Sequence, residues 1–150
     1  MGVIKMKKLE SGFGILAAAT ASLLVYSCSS TPSQPLSTSN AVPAAQGTVH
    51  VRNDANQNTK VDIEVNHLAP ADRLQGNATT YVVWLLPAGA HGEPQNLGSL
   101  AIDKNLNGKL TILTPFTAFD LFVTAEESAT PLRPNQEKIL WTQVNERKTG

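Results

Sequence analysis

Residues 59–66 alternate without a break. Val61, Ile63 and Val65 are apolar, and the charged Lys60, Asp62 and Glu64 stand around them. A period of two places the three apolar residues on one face of a strand and the three charges on the other. From residue 47 onward no helical period is sustained. Short runs of this kind recur instead, separated by clusters of Gly, Pro, Asn and Asp. Seven strands are predicted, at 47–53, 59–66, 79–86, 97–103, 108–114, 118–125 and 137–144. Seven short strands with frequent turns in about one hundred residues predict a single antiparallel, immunoglobulin-like β-sandwich over residues 47–146, with 147–150 as a tail. Trp84 on the third run is the predicted buried aromatic of that sandwich.

The first twenty-seven residues have a different character. Lys5, Lys7 and Lys8 precede a charge-free stretch from Gly12 to Tyr26, fifteen residues long. A membrane-spanning helix needs about twenty, so the stretch has the length of a secretory signal core. Met6-Lys7-Lys8 offers a second start besides Met1. The segment Val25-Tyr26-Ser27-Cys28 resembles the lipobox of bacterial lipoproteins, with an apolar residue three before the only cysteine and a small residue one before it. The resemblance implies removal of residues 1–27 as a signal peptide and a diacylglyceryl group on Cys28 as membrane anchor. Because Ser29 and not Asp follows, it also implies sorting to the outer membrane of the cell envelope. Residues 28–46 carry three prolines among small polar residues, which predicts a disordered tether between lipid and domain.

From Cys28 onward there are nine Lys and Arg against eleven Asp and Glu, a net charge of about −2. No nucleic-acid partner is expected without a basic face. With Cys28 lipidated, no cysteine remains for a disulfide or a blue-copper site. His50, His67 and His91 lie on separate segments, and no metal is expected. Asp103-Lys104-Asn105-Leu106-Asn107-Gly108 matches the first half of an EF-hand calcium loop, but Thr114 stands where the bidentate acid belongs. An Asn-Gly hairpin is the simpler reading. Asp120 is expected to face solvent, Glu126-Glu127 to be a charged turn, and the sequon Asn77-Ala78-Thr79 to be coincidental. No nucleophile motif or phosphate-binding loop is present, so neither an enzyme nor a cofactor is expected.

Residues 79–140 are similar to the extracytoplasmic C-terminal domain of anti-sigma-K factors. The likeness rests on Tyr81, Trp84 and Leu85, then Leu97-Gly98, then Val123-Thr124-Ala125-Glu126 followed by Pro131 and Pro134. It implies the sandwich fold and an extracytoplasmic compartment, without the sigma-binding region or membrane helix of that family. One further feature points to a partner. In the third run both parities are apolar. With Trp84 inward, Tyr81, Val83 and Leu85 point outward and join Phe122 in an apolar patch. Such a patch predicts a protein, envelope-component or self-association surface, unless the tether or the loop at 67–78, with Leu68 and Leu74, covers it. The sequence therefore reads as an anchored, non-catalytic interaction module. The alternative is a small-ligand or stress-sensing domain with a pocket under loops 67–78 and 87–96.

Overall fold

A computed structural model of the chain describes Gly2 and residues 33–145. Cys28, the predicted signal segment apart from Gly2, and the predicted 147–150 tail thus lie outside the described residues, as do residues 28–32 of the predicted tether. Among the described residues nine strands run in chain order: β1 Ser33–Thr38, β2 Gln46–Asn53, β3 Thr59–Asn66, β4 Thr80–Pro87, β5 Gln95–Ser99, β6 Ala101–Ile102, β7 Gly108–Thr114, β8 Phe119–Glu126 and β9 Leu140–Val144. One helical turn, α1 Ala71–Leu74, lies between β3 and β4. No helix among these residues is long and apolar enough to cross a membrane.

All pairings are antiparallel, in the order β5-β4-β8-β9-β1-β2-β3-β7-β6. The two ends of that order are consecutive in the chain, with Leu100 alone between β5 and β6. At that point the strand leaves β4 and joins β7. Strand β1 turns the opposite corner: Ser33–Leu36 pair with β2, whereas Ser37 and Thr38 pair with β9. The sheet thereby curls into a near-barrel. This corrects the expectation of a seven-stranded sandwich, because an edge strand that serves two neighbours makes one continuous sheet.

The start of the domain is also corrected. Residues 33–46 are not tether: they supply β1 and a turn that buries Val42 and Ala45, with Val42 N–H donating to Ser39 O and Ala45 N–H to Val42 O. Leu36 on β1 faces Gly47 so closely that a Cβ there would lie 2.9 Å from Leu36 Cβ, so glycine is the residue that lets β1 seat. Pro35 stands opposite Thr48 where β1 pairs with β2 and not with β9, an edge position of the kind that tolerates a residue without an N–H.

The interior collects Val49, Val61, Ile63, Val65, Tyr81, Val83, Leu85, Phe119, Leu121, Val123 and Leu140, each at most 2% exposed. The register sorts the loops between two ends. Ser33, the 54–58 turn, the 88–94 loop, the β7–β8 connection and Val144 lie at one end. The 39–45 turn, α1, the 103–107 turn and the departure of the chain from Glu126 lie at the other.

The turns at 54–58 and 103–107 are the same unit built twice. In each an Asp carboxylate oxygen accepts the backbone N–H groups two and four residues on, at 2.8 or 2.9 Å: Asp54 from Asn56 and Asn58, Asp103 from Asn105 and Asn107. Gln57 and Leu106 take positive φ at equivalent places. The EF-hand likeness of 103–108 therefore reflects a hairpin closed by its own aspartate. Hydrogen bonds from the Asn107 backbone and side chain, opposed by desolvation and aided by Asn105 and Lys109, hold the Asp103 carboxyl below its ordinary value.

Candidate functional site

Strand β4 is apolar on both parities, and its register with β8 decides which residues face inward. Tyr81, Val83 and Leu85 stand opposite Ala125, Val123 and Leu121 and belong to the interior. Val82 and Trp84 stand opposite Thr124 and Phe122 on the outer face. Val82, Trp84 and Phe122 form a second, separate apolar cluster, with Trp84 fully buried.

The predicted patch is thus corrected. Tyr81, Val83 and Leu85 are core residues, at 2%, 0% and 0% exposure, and Phe122 is a buried outer-face residue at 3%. A tryptophan looks like the natural core residue by size. Its indole N–H, however, needs an acceptor when buried, and the outer face of β8 supplies one in Thr124.

That hydrogen bond begins a chain. Trp84 Nε1–H donates to Thr124 Oγ1 at 2.9 Å, and the Thr124 hydroxyl donates to Glu126 Oε1 at 2.6 Å. Asn135 closes it, its backbone N–H donating to Glu126 Oε1 at 3.1 Å and its amide to Oε2 at 3.4 Å. Glu126, expected in a charged turn, is instead the last residue of β8 and 1% exposed. Buried carboxylates survive only when hydrogen-bonded, and here the donors come from β8 and from the segment that follows it.

That segment, residues 127–139, lies over the outer face. Asn96 on β5 donates its amide to the carbonyls of Ala129 and Pro131, both at 3.2 Å. Trp84 sits between Asn96 and Phe122 in the register. Beyond it Lys138 places its ammonium 4.3 Å from the centre of the Phe122 ring, a cation–π contact. Ile139 N–H then donates to Val123 O and leads into β9. Arg133 approaches Glu93 at 3.9 Å, both exposed. Pro131 and Pro134 are half-buried, whereas Leu132 between them is 94% exposed. A cleft of about 390 Å³ opens beside the segment, lined by Glu126, Glu127, Ser128, Pro131, Asn135 and Gln136.

The chain matches no family model and no curated protein.

The remaining sequence candidates are dispersed. His50 lies on the polar outer face of β2, β3 and β7. There Arg52 pairs with Asp62 at 2.6 Å and Lys109 with Glu64 at 2.9 Å, and the Thr111 hydroxyl donates to Asp62 at 2.7 Å. Exposed pairs of this kind add little stability. His67 follows β3 with φ +58°, and His91 is in the 88–94 loop at the opposite end. Among the described residues no three His, Cys, Asp or Glu side chains gather as metal ligands. Asp120 accepts from the Gln143 amide at 3.1 Å on the outer face.

The loop at 67–78 covers the interior and not the outer face. Leu68 is buried there, Leu74 packs against it, and the Tyr81 hydroxyl donates to Ala69 O. Its residues Gln75 to Ala78 line a smaller recess of about 150 Å³ with Glu127 and Gln136.

Proposed function

We propose that this chain is a bacterial envelope lipoprotein, anchored by lipid on Cys28 and sorted to the outer membrane. On this reading its domain is a non-catalytic module that binds another protein through the 127–139 segment. One observation carries the interaction reading: Leu132 is 94% exposed on a segment pinned on both sides of it, by Asn96 and by Glu126. Two flanking prolines and these hydrogen bonds reduce the entropy lost when a partner closes on the side chain. A single exposed leucine is ordinary on a surface; one on a segment whose two flanks are tied down, by Asn96 and by the buried Glu126, is a displayed anchor. The likeness of Tyr81, Trp84 and Val123–Glu126 to anti-sigma-K extracytoplasmic domains supports the compartment and not a sigma-binding activity.

A photo-crosslinking amino acid at position 132, compared with one at Lys60 on the polar face, tests the reading in cells. A discrete adduct at 132 and none at 60 is the expected result. Equal adducts at both positions, or none at either, would sink it.

The cleft beside Glu126 favours a second reading, a small-ligand or stress-sensing domain. In that case an envelope metabolite raises the thermal midpoint, and Gln136→Ala abolishes the rise.

A further inference from the structure

We infer that the domain stands on the lipid surface, with the end carrying Ser33, the 54–58 turn and the 88–94 loop against the headgroups and the 103–107 turn facing away. The inference rests on the lipid-anchor reading of Cys28. Strand β1 begins at Ser33, five residues after the cysteine, and five peptide steps span at most about 18 Å. The expected tether of eighteen residues would reach roughly 60 Å; the five steps from Cys28 to Ser33 set a much shorter limit on how far Ser33 can stand from the lipid. Strands of eight residues such as β3 measure about 26 Å, so the far end of the sheet lies beyond the reach of that link.

The other terminus agrees. Strand β9 ends at Val144 beside Phe119, at the same end as Ser33. From there the sequence continues through Glu146, Arg147 and Lys148, one net positive charge that anionic headgroups attract. The loops at this end are suited to a hydrated interface: Asn53 to Asn58 are all small or amide-bearing residues apart from Asp54, and the 88–94 loop reads Ala-Gly-Ala-His-Gly-Glu-Pro. The partner surface is thus a bilayer, met end-on.

The two turns, built on the same hydrogen-bonded unit, provide matched reporters, one at each end. The lipidated full chain, purified from membranes, is placed in phosphatidylethanolamine–phosphatidylglycerol vesicles containing a headgroup-labelled acceptor lipid. A fluorescent amino acid replaces Asn56 in one sample and Asn105 in the other. Energy transfer several-fold stronger from position 56 than from position 105 is expected. The difference should collapse when a flexible Gly-Ser linker of about 18 residues is inserted between Pro32 and Ser33. Equal or inverted transfer from a chain whose intact mass confirms the lipid overturns the orientation alone. An unmodified mass overturns the anchor and the orientation together.

Discussion

Tyr81 shows how one side chain reports on the interior. From Cys28 onward it is the only tyrosine. Burial first, and the nearby Asp72 carboxylate second, push its phenol up to about 12 from an ordinary 10.0. A group whose value is raised on folding favours the folded state below its unfolded value and loses that contribution as pH rises through the folded one. Stability should therefore hold to about pH 10 and fall toward 12. Phenolate absorbance of the chain lacking residues 1–27 should show a single midpoint near 12; a midpoint near 10 would place Tyr81 in water. The inward position of Tyr81 was not legible in the sequence. Six consecutive residues of β4, Tyr81 to Leu86, are apolar, so the run has no polar parity to orient it. The alternation of Phe119, Leu121 and Val123 on β8 was legible and matches the interior. Only the pairing of Trp84 with Phe122 transfers that parity to β4 and sends the tryptophan outward.

Among elements, the strands with polar alternation were read closely: β3 and β7 occupy the predicted 59–66 and 108–114. Strand β1 was missed because Ser-Gln-Pro-Leu-Ser-Thr has one large apolar residue and a proline, the composition of a linker. Its strand state is imposed by the edges of β2 and β9. The predicted fourth run divides at Leu100, where the chain exchanges β4 for β7, a change of neighbour that local composition does not encode. Residues 128–136 were legible only as a proline-rich loop, and the run predicted from 137 becomes strand only at Leu140, since the role of Glu126 depends on Thr124 and Asn135 meeting it. Glu126→Ala should strand the Thr124 hydroxyl and the Asn135 N–H, at a cost of about 1–3 kcal/mol. In a Trp141→Phe background, Trp84 emission should shift to the red and amides 128–138 should exchange faster. Unchanged exchange would mean that Asn96 and Lys138 suffice to hold the segment.

For the whole molecule, the first strand decides where the folding unit begins. A chain starting at Gly47 lacks Leu36, Val42 and Ala45 from the core and opens the edges of β2 and β9, an invitation to aggregate. It should lose near-ultraviolet circular dichroism and elute as large species, whereas a chain starting at Ser33 should unfold cooperatively as a monomer. Equal melting of the two would show β1 to be dispensable. All-β architecture was readable from the turns and alternation; closure into a near-barrel was not, because it depends on β1 and β5–β6 each serving two neighbours. The corner at β1 also has a mechanical meaning. On the proposed anchoring through Cys28, tension would enter the described fold at Ser33 and run along the axis of a strand bonded first to β2 and then to β9. Its hydrogen bonds to both neighbours must then shear together and cannot be unzipped one by one, so a pull on the N-terminal end of β1 loads a seam and not a free edge.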